Sequence, residues 1–251
     1  MASVLTFQPG GYRFIKGPFQ YSGGACALEG FRVERARFGE PLPLNEGFAA
    51  VERHLKTIGR PTQSICGFEL RSPEPFTDAG FQAFNRVYVQ TLERWGLLTL
   101  GDNPVARSNV CPERRKPASP SVYAFCYTVE SKDTRPSFVI AGSGESQEGT
   151  GSYRERTVRF GDTSPEGMRE KARYVLQQME RRMGAFEYGW PQATGVNVYT
   201  VFDIHSFVAD EIAERGAMQH ALSWFFARPP VQGLDYEMDV RSVSRERVID
   251  A

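Results

Sequence analysis

PVARSNV at residues 104–110 is a short β-like run with an arginine at its centre, and it decides how the chain divides. A weaker echo, FARPPV, stands at residues 226–231 and places Arg228 where the first run has Arg107. Because each run is followed by another strand-like segment, the chain closes two stretches in the same way. This correspondence indicates an internal repeat.

The segments that precede these two runs also correspond. Residues 18–129 and 136–240 show the same candidate order of two strands, a helix, a strand, a helix and two strands, and the polar stretch ESKDTR separates them. The predicted strands are 19–24, 31–38, 64–70, 105–111 and 121–129, then 138–144, 153–160, 196–202, 222–228 and 235–240. The predicted helices are 44–58, 77–95, 164–184 and 206–215. The sequence therefore predicts two domains, 1–130 and 136–251.

Local signals mark the ends of two of these helices. Ser164 is a candidate N-cap, Pro165 suits the first helical position, and Gly184 can adopt the left-handed conformation that ends a helix. Thr77 is a candidate N-cap in the first half. Residues at helical spacing follow Thr77, and we assign them to the core: Phe81, Phe84, Tyr88, Leu92 and Trp95.

The element order predicts an α+β fold in which both helices of each unit cover one face of a sheet. The strand predicted at 196–202 is apolar on its other face as well, so that face needs a second layer. The two halves could pack against each other, or sheets from several chains could line a barrel-like centre. We therefore expect a homo-oligomer.

The composition is that of a soluble globular protein, with 41% hydrophobic and 24% charged residues among 251. Thirty Lys and Arg balance thirty Asp and Glu, so overall charge predicts neither nucleic acid nor membrane as a partner, whereas a small anionic ligand fits. The N-terminus lacks a signal-peptide pattern, and we expect a cytoplasmic protein. The four cysteines are scattered without a CxxC pair, which predicts buried thiols and no metal site.

The run at 104–110 resembles the A-R-S-x-V signature of the YjgF/RidA family of enamine and imine deaminases. LDYEMDV at residues 234–240 is similar to the terminal strand of that family, and the element order is similar to a tandem pair of its units. The resemblance implies a chorismate-mutase-like fold, a trimer, and hydrolysis without a cofactor. The tandem chain also resembles the bacterial 2-aminomuconate and 2-amino-5-chloromuconate deaminases, which form 2-hydroxymuconates in the degradation of aromatic compounds.

The resemblance implies a site for an anionic 2-enamino or 2-imino acid. Arg107 and Arg228 are predicted to bind the carboxylate, since a guanidinium fork can donate two parallel hydrogen bonds. Glu237 is predicted to position water and to transfer protons. The other predicted substrate contacts are Ser108, Gly23 and Gly142.

The two halves differ at the predicted acid. Cys126 stands opposite Glu237 when the closing strands are aligned, so we expect one kind of competent site. A second substrate carboxylate would need a further cation, for which Arg71, Arg154 and Arg156 are candidates. Two alternatives stay open, which are a general deaminase of 2-imino acids such as 2-aminoacrylate and a non-catalytic module that binds a small metabolite.

Overall fold

The computed structural model describes residues 3–98, 101–147, 149 and 151–250. The strands are β1 (Val4–Phe7), β2 (Tyr12–Ile15), β3 (Gly24–Ala27), β4 (Phe31–Pro43), β5 (Ile65–Arg71), β6 (Ala106–Pro112), β7 (Ser121–Glu130), β8 (Phe138–Gly144), β9 (Gly195–Tyr199), β10 (Leu222–Phe225), β11 (Ala227–Arg228), β12 (Glu237–Ser242) and β13 (Glu246–Ile249). The α-helices are α1 (Leu44–Thr57), α2 (Asp78–Arg94), α3 (Tyr153–Arg156) and α4 (Pro165–Gly184), and a π-helical turn covers Val208–Ala213.

The described strands form two open sheets with the same central pattern. One sheet has the order β1-β2-β3-β8-β12-β9-β10, and the other has the order β11-β6-β5-β7-β4-β13. In the sets β8-β12-β9-β10 and β4-β7-β5-β6, the last two strands are parallel and the other neighbours are antiparallel. The predicted α+β class is therefore confirmed, and each half contributes one such four-stranded set.

Helices α1 and α4 lie on the outer faces of the sheets, and the inner faces of the sheets meet. Helix α1 packs on β4 and β7, whereas α4 packs on β8 and β12. Between the sheets, a methyl group on Gly67 would lie 3.3 Å from Val139 Cγ1. Ser108 Oγ donates to Asp239 Oδ2 across the same space, at 2.6 Å. Each sheet thus supplies the second layer that the apolar inner face of the other requires.

Strands near the chain ends join the sheet of the opposite half. Strand β3 pairs with β8, so the N-terminal strands extend the sheet built mainly from the second half. In return, β13 pairs with β4 and β11 pairs with β6. The division into 1–130 and 136–251 stays a prediction, and strands from both ranges share each sheet.

The helices predicted at 44–58, 77–95 and 164–184 are confirmed, and side-chain caps begin the second and the third of them. Thr77 accepts a hydrogen bond from the Gly80 main-chain N–H, and Ser164 accepts one from Gly167. Helix α4 ends at Gly184 as predicted, but the left-handed conformation predicted for Gly184 is wrong, because Ala185 continues in a right-handed conformation and the positive φ falls on Glu187, at 68°. Among the described helices, none combines the length and apolarity needed to cross a bilayer.

Two strand predictions are wrong in part, and one is wrong throughout. Residues 19–22 form a turn and a single bridge, because Tyr21 N–H donates to the carbonyl of Pro18, and the strand begins at Gly24. The strand predicted at 153–160 is instead α3 and a turn, because Ser152 and Glu155 form a reciprocal capping box. The run 222–228 divides into β10 and β11, which lie in different sheets. The second helix predicted at 206–215 is the short π-helical turn.

Candidate active site

A cavity of about 710 Å³ lies where the ends of the two sheets meet. The first half contributes the connection between β2 and β3, the start of α2, and β6. The second half contributes the end of β8, α3, α4 and the connection that leads into β12. The cavity therefore requires both halves of the chain, and it is the candidate site for a small ligand.

Glu237, the first residue of β12, supplies an acidic group to this cavity. The residue is only 4% exposed, and no hydrogen bond from the described residues reaches its carboxyl group. Burial raises the pKa of Glu237 well above its usual range, and the neighbouring Asp239 raises it further. Glu237 therefore keeps its proton at pH values where an exposed glutamate has released it, and it can donate that proton to a bound molecule.

Gly142 on β8 makes room for this carboxyl group. A methyl group at Gly142 would collide with Glu237 Oε1 and would lie 3.2 Å from the Ser108 Cα. A residue without a side chain is therefore required where the two sheets approach each other at the cavity.

Arg107 on β6 supplies a buried cation to the same cavity. It is 3% exposed, and its Nη1 donates to Asn85 Oδ1 at 2.8 Å. Within the described part of the chain, no carboxylate lies within ion-pair distance of it. Burial lowers the pKa of Arg107 from its ordinary value, although a guanidinium stays charged at physiological pH. A buried cation without an internal counter-ion favours the binding of an anion.

Aromatic rings surround the Arg107 guanidinium. The Arg107 Cζ lies between 4.9 and 5.7 Å from four ring centroids, those of Tyr21, Phe81, Phe84 and Tyr88. The electron-rich faces of such rings attract a cation. Three of these residues belong to the stripe of α2 that the sequence assigned to the core. They are buried as predicted, and they also enclose the arginine. The sequence offered one sign of such a polar partner, which is Asn85 between Phe84 and Tyr88 on the same helix.

The described lining of the cavity is strongly basic. Glu237 is its acidic member, and its basic members are Lys16, Arg107, Arg156, Arg181 and Arg182. Arg182 Nη1 donates to the carbonyls of Ala141 and Gly142, at 3.0 and 3.3 Å, which fixes its head group beside β8. This balance of charge suits a ligand with more than one negative group.

The structure brings four of the six predicted site residues to the cavity, namely Glu237, Arg107, Gly23 and Gly142. Ser108 is turned between the sheets, where its hydroxyl donates to Asp239. Arg228 lies outside this cavity at the edge of the six-stranded sheet, with a 39% exposed side chain that pairs with Glu113 at 2.9 Å. Its strand β11 is held against Cys111, which directs it away from the site.

The four cysteines lie in the protein interior, and of the three further arginines predicted as candidates one lines the cavity. All four cysteines are buried, and burial raises the pKa of Cys126 to about 12, which keeps its thiol neutral. Among the described residues, no three His, Cys, Asp or Glu side chains converge as a metal site. Arg156 lines the cavity, whereas Arg71 packs against the ring of Tyr123 and Arg154 against that of Phe160.

Comparisons with known proteins match nearly the whole chain. A family model described as 2-aminomuconate deaminase CnbZ matches residues 4–247. A 2-amino-5-chloromuconate deaminase of Comamonas testosteroni is 51% identical over 251 residues, which cover 99% of this chain and 100% of that protein. A crystal structure of a chorismatase superposes with a TM-score of 0.50 at 13% identity, over 91% of this chain and 79% of that one, which shows a shared fold.

Proposed function

Because this chain belongs to the 2-aminomuconate deaminase CnbZ family, we propose that it hydrolyses an aminomuconate-type enamine. The substrate is 2-aminomuconate or a chlorinated analogue, and the products are ammonia and the corresponding 2-hydroxymuconate. One observation carries the proposal, which is that a buried Glu237 carboxyl group and a buried Arg107 guanidinium without a carboxylate partner among the described residues line the same cavity.

The two side chains divide the reaction between binding and proton transfer. Arg107 binds the carboxylate beside the amino group. Glu237 donates a proton to the enamine carbon, which converts the enamine into an iminium ion. The resulting carboxylate then accepts a proton from the water that adds to the iminium carbon, giving a carbinolamine. Transfer of that proton to nitrogen lets the carbon–nitrogen bond break and releases ammonia. The Glu237 carboxylate then takes the proton of the carbinolamine hydroxyl, which leaves the 2-oxo acid, the tautomer of the 2-hydroxymuconate, and regenerates the protonated Glu237.

The basic remainder of the cavity suits the second carboxylate of a muconate. Arg182 is our candidate for this contact, because main-chain carbonyls fix its head group in the cavity wall. Arg181, Arg156 and Lys16 line the same cavity and would add to the positive potential. A dicarboxylate would thus be bound at both ends, with its reactive carbon near Glu237.

We also propose that the chain is a tandem pair of RidA-like units, that it assembles as a homotrimer and that it works in the cytoplasm. The shared order and direction of the two four-stranded sets support the duplication. Light scattering coupled to size-exclusion chromatography should give three times the mass of one chain. A monomer would contradict the proposed assembly and would leave the proposed chemistry intact. Cell fractionation tests the location.

The chemistry is tested by incubating the purified chain with 2-aminomuconate and measuring ammonia together with the ultraviolet spectrum of the product. We expect Glu237→Gln to lower kcat by about 10²-fold or more, because general acid–base catalysis contributes on that order. We expect Arg107→Lys chiefly to raise KM. Arg114→Lys, an exposed change in the loop after β6, is the matched control.

The same assay separates the proposal from its alternatives. Turnover of freshly formed 2-aminoacrylate without turnover of 2-aminomuconate would indicate the general imino acid deaminase. A ligand-dependent rise in Tm without ammonia release would indicate a binding module. Either result would reject the proposed activity.

A further inference from the structure

We propose that Asn85 is a positioning residue that holds Arg107 in place without neutralising its charge. This role rests on the proposed function, in which Arg107 binds a substrate carboxylate. Asn85 lies on α2, is 1% exposed, and accepts the hydrogen bond from Arg107 Nη1. An amide oxygen fixes the guanidinium but carries no formal charge.

The six-stranded sheet that contains Arg107 also contains a buried arginine whose charge is paired with a carboxylate. Arg35 donates through Nε and Nη2 to both carboxylate oxygens of Glu69, at 2.6 and 2.8 Å. The Arg35 charge is thus neutralised inside the protein, which is the usual arrangement for a buried arginine. Arg107 is as deeply buried but has an amide where Arg35 has a carboxylate. This contrast within one sheet indicates that the counter-ion of Arg107 is to come from a ligand.

The surroundings of Arg107 support the cation without occupying its donors. Tyr88 and Tyr21 have the two nearest ring centroids, at 4.9 and 5.1 Å from Arg107 Cζ. Ring faces attract the positive charge but accept no conventional hydrogen bond from it. Asn85 takes one of the five N–H donors of the guanidinium. This one hydrogen bond fixes the orientation of the guanidinium and leaves its other N–H groups for a ligand.

An aspartate at position 85 would place a permanent carboxylate at the anchor point. Asn85→Asp should therefore form an internal ion pair with Arg107 that competes with the substrate. We expect KM for the aminomuconate to rise about 30-fold, in line with the effect of disturbing one buried charge pair. We expect kcat to change less than about threefold, because Glu237 is untouched. Tm should stay at or above that of the wild type, since the new pair compensates a buried charge.

The experiment measures binding of trans,trans-muconate, an unreactive dicarboxylate, by calorimetry. Asn85→Asp should weaken its Kd about 30-fold, and Asn45→Asp, the same change on the exposed side of α1, is the matched control. Asn85→Ala, which removes the anchor but adds no charge, should weaken binding by less than the aspartate variant. Unchanged muconate binding in Asn85→Asp with a wild-type Tm overturns the proposal. If the aspartate variant does not fold, wild-type affinity in Asn85→Ala overturns it.

Binding and turnover keep this proposal distinct from the proposed function. Weakened muconate binding in Asn85→Asp supports the role of Asn85 even if the wild-type chain releases no ammonia. Ammonia release from wild type together with unaffected binding in both Asn85 variants rejects the role of Asn85 alone.

Discussion

Replacing Glu237 with glutamine should make the protein more stable at neutral pH while it removes the proposed acid. Glu237 is 4% exposed, and burial together with Asp239 raises the pKa of its carboxyl group well above the usual range. The folded chain therefore keeps this proton at pH values where the unfolded chain releases it. A glutamine has a similar shape but no proton to release, so the substitution removes the pH dependence that Glu237 gives to the free energy of unfolding.

The size of the effect follows from the difference in titration. A glutamate in an unfolded chain titrates near pH 4.3, and each pH unit above that value, up to the folded-state pKa, lowers the free energy of unfolding by about 1.4 kcal/mol. Relative to Glu237→Gln, the wild type should therefore lose about 1.4 kcal/mol for each pH unit above about 4.5 over which the folded carboxyl group keeps its proton. The stability that the protonated Glu237 gives to the fold is thus present at acid pH and is lost as the pH rises.

The assay is urea unfolding of both proteins at pH 4.5, 6.0 and 7.5, followed by tryptophan fluorescence at one protein concentration. Glu29→Gln, which removes an exposed carboxylate, controls for the loss of one negative charge. A constant stability difference between wild type and Glu237→Gln at all three pH values would refute the reasoning. The carboxyl group would then titrate alike in the folded and unfolded chains.

Three further substitutions test other parts of the structure. Gly142→Ala should lower kcat/KM roughly 10-fold or more and destabilise the fold by about 1–3 kcal/mol, because its methyl group collides with the Glu237 carboxyl; steady-state kinetics and urea unfolding check both effects. Lys171→Met should cost about 3–5 kcal/mol in urea at pH 8, because it leaves two carboxylates without their cation, that of Asp235, which accepts a hydrogen bond from Lys171 Nζ, and that of the buried Glu145, 3.8 Å away. Burial raises the pKa of Glu145 to about 7, so the cost should shrink at pH 5.5, and an equal cost at both pH values would contradict this account. Ser164→Ala should cost about 1 kcal/mol in the same urea assay through loss of the N-cap of α4.

Helix and strand positions were predictable from the sequence where short-range signals determine them. Thr77 and Ser164 cap α2 and α4 as predicted, since an N-cap needs only a side chain three residues before its donor. The capping box of Ser152 and Glu155 was also available in the sequence, but the strand prediction at 153–160 overlooked it. Local signals therefore sufficed for α3 too.

The placement of the two predicted arginines could not be read from their motifs. Arg107 lies on an interior strand of its sheet and reaches the cavity, whereas Arg228 lies on a two-residue edge strand and pairs with Glu113. Which strand becomes an edge depends on pairing between residues more than a hundred positions apart. The sequence motif alone carries no such information.

The partners of Arg107 were hidden for a related reason. The apolar stripe on α2 predicted a buried face, and that prediction is confirmed for Phe81, Phe84 and Tyr88. The charged group that these rings surround comes from β6, on another element. The spacing of apolar residues along a helix predicts which face is buried, but it does not predict which side chains from other elements pack against that face.

The exchange of end strands between the sheets sets an order for folding during synthesis. Strands β4 to β7 can pair as soon as the ribosome has released residue 130, whereas β3, which pairs with β2, lacks its other neighbour until β8 has emerged. The sheet made from β4 to β7 in turn acquires its outer strand β13 only when the last residues are made. A stalled or truncated chain would therefore expose unpaired strand edges at both ends, and chaperones that protect such edges should associate with it until translation is complete.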